Sequence, residues 1–174
     1  MMHPLLQKLA GTDRRSIGKT NEIVTAVLAD PGLFAALFNG ILNDDPVLRM
    51  RCADAVEKIT AVHPEFLRPY KKQLIQHVAK IEQQEVRWHV AQLFSRLKCT
   101  PKERRAVVEI LEEYLKDKSK IVKTFSMQVL ADLAEYDETL RLFSIRQLEK
   151  LTRTGSPAMK ARGRKLLAKL KGES

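Results

Sequence analysis

Four stretches of this chain repeat one another. They begin at Leu48-Arg49, Val86-Arg87, Val122-Lys123 and Met159-Lys160, and are spaced 38, 36 and 37 residues apart. Three residues after each basic position stands a small or modest side chain: Cys52, Val90, Ser126 and Gly163. Apolar columns follow at Ala55, Leu93, Val129 and Leu166, at Val56, Phe94, Leu130 and Leu167, and at Ile59, Leu97, Leu133 and Leu170. A period of that length accommodates about two helices. Self-similarity at such a period marks stacked units, none of which can bury its apolar stripe alone.

The helix starts are written into the chain. Asp30-Pro31, Asp45-Pro46 and Ser156-Pro157 each place a capping side chain before a proline at the first helical position. The cap oxygen accepts from an orphan N–H, and proline loses nothing where that N–H had no partner. Thr100-Pro101-Lys102-Glu103 adds the glutamate of a capping box. His63-Pro64 and Tyr136-Asp137 mark two more starts. Between these marks apolar residues recur at three and four, with no alternation that would indicate a strand. The pattern predicts nine main helices, over about 16–29, 31–43, 46–61, 64–80, 84–98, 101–116, 119–135, 138–153 and 157–171. Pro69 should kink the fourth. Connections of mostly two to four residues require neighbouring helices to pack antiparallel.

This pattern resembles the HEAT repeat: a first helix, a tight turn, and a second helix opening on an apolar-basic pair. The clearest copy runs from Pro64 to Leu97, with Pro69 where HEAT first helices often bend. The resemblance implies an all-α chain forming an α-α superhelix, a right-handed solenoid. It would have about four helical pairs (31–61, 64–98, 101–135, 138–171) behind a leading helix at 16–29, as one domain over 1–174. It also implies acidic turn residues in a ladder between repeats. Asp44 and Asp117 suit that role, whereas Glu82 and Thr154 leave the ladder incomplete. Gly163 costs its helix about 1 kcal/mol relative to alanine. Close packing of neighbouring helices and fraying of a terminal repeat both account for it.

Composition excludes several classes. With 44% hydrophobic residues, 7 Gly and 7 Pro, the chain is neither a disordered tail nor collagen-like. No stretch of about 18 apolar residues is present, so no membrane span is expected. The N-terminus lacks the apolar run and cleavage site of a signal peptide. The two cysteines, Cys52 and Cys99, form no disulfide framework or zinc motif, which fits a reducing, cytoplasmic setting. Lys+Arg of 31 against Asp+Glu of 21 leaves +10, which favours acidic partners.

No catalytic set emerges. Ser16-Ile17-Gly18-Lys19-Thr20 ends like a P-loop, but the glycine required five residues before Gly18 is Asp13 and no strand precedes it; a capped helix start is the plainer reading. Of the four histidines only His89 shares a face with an acid, Glu85, and no third ligand is in sight. His63 reads as a turn residue, and His77 and His89 as surface or boundary residues. Cys52 reads as a core thiol, and nothing singles out Cys99 as a nucleophile. Glu109, Glu112, Glu113 and Asp117 line one face beside Lys116, Lys118 and Lys120, as a solvated surface does. The expectation is therefore no catalytic residue, no metal, no cofactor and no small-molecule substrate.

Trp88, the one tryptophan, points away from Val86, Val90, Leu93, Phe94 and Leu97 at 100° per residue. Its equivalents in the other repeats are Met50, Thr124 and Ala161. In HEAT-like solenoids second helices line the concave face, so Trp88 with Arg87, Gln92 and Arg96 would form part of an inner groove. Trp88 is either an interface anchor or packing against a neighbouring repeat. The basic column Arg49, Arg87, Lys123 and Lys160 is either a ladder of ion pairs and turn hydrogen bonds or a positive stripe. Arg162, Arg164 and Lys165, with Lys160, Lys169 and Lys171, add cations at the C-terminal end.

These observations lead to a non-enzymatic scaffold or adaptor holding an acidic protein or peptide on its concave face. The alternative is nucleic-acid binding through phosphates. A third reading, by likeness to the alkylpurine DNA glycosylases, fails to find its carboxylate, because Gln92 stands one turn beyond Trp88.

Overall fold

The computed structural model describes residues 2–11, 13 and 15–172, and among these it is all helical, without a strand. Ten α-helices follow in order: α1 Pro4–Gln7, α2 Thr20–Ala29, α3 Phe34–Gly40, α4 Pro46–Val62, α5 Lys71–Gln76, α6 Gln84–Phe94, α7 Pro101–Tyr114, α8 Lys120–Tyr136, α9 Arg141–Thr154 and α10 Pro157–Lys171. Short 3-10 turns occupy Pro31–Leu33, Pro64–Tyr70, Val78–Lys80 and Glu138–Leu140. No helix among the described residues is long and apolar enough to cross a membrane.

The caps form where the sequence places them. Asp45 accepts from Val47 N at 2.8 Å, and Ser156 from Met159 N at 3.4 Å. Thr100 and Glu103 close a reciprocal capping box, with Thr100 N donating to Glu103 Oε2 at 2.8 Å.

Several helices depart from expectation; 31–43 and 138–153 each open with a 3-10 turn, and the first of these leaves the α-helix after Gly40. The stretch 64–80 is not one kinked helix; it is 3-10 to Tyr70, six residues of α5, then 3-10 again. Pro69 has no N–H to give and restricts Arg68 before it, so no α-helix crosses that point. The first predicted helix starts at Thr20 rather than residue 16, because Gly18 takes a left-handed φ of +56°. The stretch 84–98 leaves the α-helix after Phe94. Short α1 was not foreseen; His3 Nδ1 caps it by accepting from Leu5 N at 3.2 Å.

The chain divides into two compact units, Met1–Lys98 and Cys99–Ser174. In the first, α4 packs on α2, α3 and α6, and α1 lies on α3. Its core includes Leu37, Phe38, Leu48, Cys52, Val56, Ile59, Leu74, Val90 and Phe94, all fully buried. Burial pushes the Cys52 thiol up to about 12, so it stays protonated and inert. In the second unit α8 packs on α7, α9 and α10, and α10 packs on α9. Ser126 is fully buried and Gly163 is buried.

Gly163 has a packing reason. A β-carbon there would overlap the Thr152 hydroxyl and lie 3.1 Å from Met127 Cε. The close approach of α9 and α10 therefore accounts for the glycine better than fraying does.

Candidate functional site: a tryptophan cleft and its surrounding charges

The N-terminal segment, α4 and α6 enclose an open cleft of about 410 Å³ lined by Arg15, Ser16, Ile17, Met50, Arg51, Asp54, Glu85, Trp88 and His89. Met50 and Trp88 hold the same place in successive repeats, and both reach this cleft. Trp88 is half-buried, and its ring meets that of His89 edge-on at 5.8 Å and 61°. Arg87, Gln92 and Arg96, which the sequence groups with Trp88, do not line the cleft. Gln92 Nε2 donates to the Trp88 carbonyl at 3.1 Å.

One wall is held from a distance. Arg51, 5% exposed, donates through Nη1 to Leu9 O at 2.7 Å and Ala10 O at 3.2 Å, through Nη2 to Asp13 O at 3.0 Å, and through Nε to Ser16 O at 3.0 Å. A guanidinium suits this because it carries its donors in a rigid planar fork. Gly18 lies against it, where a β-carbon would sit 2.8 Å from Arg51 Cζ. Sequence reasoning missed Arg51: it stands beside the small-residue column and carries no pattern of its own.

The charges lining the cleft balance. Arg15 and Arg51 face Asp54 and Glu85, and Lys58 pairs with Asp54 at 2.8 Å. The Arg51 donors go to the backbone, so its fork is not offered to a ligand. With Trp88, Met50 and Ile17 in its walls, the cleft suits an apolar side chain and selects little by charge.

His89 takes the boundary side of the surface-or-boundary reading. Its side chain is 11% exposed, Nε2 lies 3.9 Å from Asp54 Oδ1, and Nδ1 is buried with no hydrogen-bond partner. Burial holds its pKa below the usual imidazole range; Asp54 and Glu57 pull the other way, while Lys58 and Arg96 add to the lowering. The unfolded chain therefore binds this proton more readily. The stability of neutral His89 is complete above the unfolded pKa of about 6.5 and is lost as pH falls through the folded value. Thermal melts should lose more between pH 7.5 and 5.5 in the parent chain than in His89→Gln. Equal losses would show that His89 is not the acid-sensitive group.

The remaining predicted cations are largely engaged inside the chain. Arg49 donates through Nε to Asn43 O at 3.0 Å and through Nη2 to Asp44 O at 3.1 Å, and Arg87 Nε donates to Ile81 O at 3.2 Å. These are turn hydrogen bonds, and Asp44 takes part through its carbonyl. Arg96 bonds the Glu57 carboxylate and carbonyl, and reaches Thr60 Oγ1 at 2.9 Å. In the second unit Arg162 donates to Gln128 Oε1 at 2.8 Å, Lys169 pairs with Glu135 and Lys171 with Glu149. Lys123 is half-buried, while Lys160, Arg164 and Lys165 are exposed on α10.

A second cleft, of about 270 Å³, is lined by Pro64, Glu65, Arg68, Lys71, Arg96, Leu97 and Lys98. Lys71 Nζ donates to the Lys98 carbonyl at 3.0 Å, which ties its two walls together. Among the described residues no group of three His, Cys, Asp or Glu could hold a metal ion.

No family model matches the sequence, and no curated protein matches it either. Among solved structures, the crystal structure of an engineered protein is similar, with a TM-score of 0.67 at 17% identity. The match covers 98% of this chain and 79% of that one. This likeness speaks to fold alone.

Proposed function

We propose that the chain is a non-enzymatic binding module, a right-handed stack of HEAT-like helix pairs that holds an acidic protein or peptide. The observation that carries the reading is the Trp88 cleft. The one tryptophan stands half-buried in the wall of an open cleft, the setting of an interface anchor rather than of a core residue. The repeat columns support the stack: apart from the half-buried Leu97 and Leu167, their members are buried within each unit. The surplus of +10 sets the sign of the partner, and the exposed Lys160, Arg164 and Lys165 leave part of it at the surface.

The test uses Trp88 as its own reporter, because no other indole contributes to the emission. A glutamate-rich peptide carrying one leucine should shift the fluorescence on titration. Trp88→Ala, followed by a label on the peptide, should weaken binding by about 2 kcal/mol, roughly 30-fold. Its thermal melt should change far less than the roughly 3–5 kcal/mol lost with a buried tryptophan. A DNA duplex bound more tightly than the peptide, with a steep salt dependence, would replace this reading by a phosphate-binding one. A large stability loss with unchanged binding would make Trp88 packing material.

A further inference from the structure

We propose that the cleft between the Pro64–Tyr70 turn and the end of α6 is a carboxylate site, which takes a glutamate or aspartate side chain of the acidic partner. The inference rests on the binding-module reading and supplies what the Trp88 cleft lacks, a surface that selects by charge.

Four of the seven lining residues are cationic: Arg68, Lys71, Arg96 and Lys98. Arg68 and Lys98 are exposed, and among the described residues neither takes part in an ion pair. Lys71 bridges the walls through the Lys98 carbonyl, which fixes its ammonium at the cleft rather than letting it sweep through solvent. Arg96 gives both terminal nitrogens to Glu57 and Thr60, so its carboxylate partner lies within the protein while its guanidinium helps line the cleft.

The opposing charge is small. Glu65 is the only acid in the lining, and His63 Nδ1 holds its Oε1 at 2.9 Å. Its own backbone N–H and His63 keep the carboxyl below the usual range, so it stays ionised and turned to that neighbour. Against Glu65, whose carboxyl also feels the charge of Arg68, the two cations with no ion pair among the described residues, Arg68 and Lys98, leave the cleft with an excess of one positive charge. Pro64 and Leu97 give it an apolar flank, where the methylenes of a glutamate can rest while its carboxylate meets Arg68 and Lys98.

The experiment compares charge reversals in the full chain, using a hexaglutamate peptide with one leucine and a labelled end. Arg68→Glu/Lys98→Glu should weaken binding by tenfold or more and flatten its salt dependence, because the charge-assisted hydrogen bonds to the peptide carboxylates are removed. Arg68→Gln/Lys98→Gln should give a smaller loss of the same sign, with the helical circular dichroism of both variants unchanged. Lys160→Glu/Arg164→Glu/Lys165→Glu, of the same charge character on α10, should change binding less. If the peptide binds and only the α10 variant loses it, the carboxylate-site inference fails while the binding-module reading stands. If the parent chain does not bind the peptide at all, the reading itself fails. If a duplex binds and the Arg68/Lys98 variant alone abolishes it, the cleft is a phosphate site and the carboxylate assignment is overturned.

Discussion

Arg51→Met should destabilise the protein by about 3 kcal/mol or more. The substitution keeps a long apolar stem and removes every donor from four backbone carbonyls, those of Leu9, Ala10, Asp13 and Ser16. Hydrogen bonds from a charged donor are worth about 1.5–3 kcal/mol, and a buried acceptor left alone costs about 1–3 kcal/mol. Arg51→Lys should fall between parent and methionine, because an ammonium has three donors and no planar fork. Denaturant unfolding of the three proteins measures the series. The buried Leu9 carbonyl can regain water only if the segment moves off α4, so amide exchange should rise at Leu9, Ala10, Ser16 and Ile17. Arg15, Ser16 and Ile17 form a wall of the Trp88 cleft, so the emission of Trp88 should shift to the red in Arg51→Met. A stability change below about 0.5 kcal/mol with unaltered exchange would show that the guanidinium does not hold this segment.

Gly163→Val should cost about 3 kcal/mol, although helix propensity alone favours any side chain over glycine by up to about 1 kcal/mol. The sign is set by space. The first carbon of a side chain already overlaps the Thr152 hydroxyl and crowds Met127, and Thr152 has little freedom because its hydroxyl bonds Leu148 O at 2.6 Å. Overpacking of this kind typically costs about 1–3 kcal/mol, and valine adds two methyl groups to it. Gly163→Ala should cost less, about 1 kcal/mol net, as propensity offsets part of the strain. Removing the hydroxyl with Thr152→Ala should then recover most of the alanine penalty in a double-mutant cycle, since the pair is in direct contact. If Gly163→Ala stabilises the protein, α9 and α10 do not approach as closely as the structure has them.

The helical architecture was legible because its signals are local. Asp45, Thr100, Ser119 and Ser156 each cap within three residues of themselves, a distance that any extended reading of the chain preserves. The buried columns through Cys52, Val90, Ser126 and Gly163 follow from the 3.6-residue period and the roughly 37-residue repeat. Local signals failed where two of them compete. At Pro64 to Lys80 the apolar spacing favours one helix, but Pro69 removes a donor midway, and the tighter 3-10 form prevails.

The site was only partly legible. Trp88 stood out because its direction, opposite the buried columns, is a property of its own helix. Its surroundings were not, since they come from other segments: Ile17 and Arg51 enter the cleft from the N-terminal segment and from α4. Arg96 looked like a groove cation because nothing nearby in the chain shows that it reaches back 39 residues to the carboxylate of Glu57. His89 read only as surface or boundary, because its degree of burial depends on Asp54 and its neighbours on another helix.

The sequence by itself thus determined the all-helical character, the capped starts at Pro46, Pro101, Lys120 and Pro157, the repeat and the face on which Trp88 stands, all carried by interactions within a few residues. Only the tertiary structure decided which cations are engaged within the chain. Arg51 is spent on carbonyls 35 to 42 residues away and Arg96 on Glu57, whereas Arg68 and Lys98 meet in one cleft with no ion pair among the described residues. The physical reason is reach: a guanidinium or ammonium on a long stem takes whatever acceptor packing brings to it, and packing is a relation between segments remote in the chain.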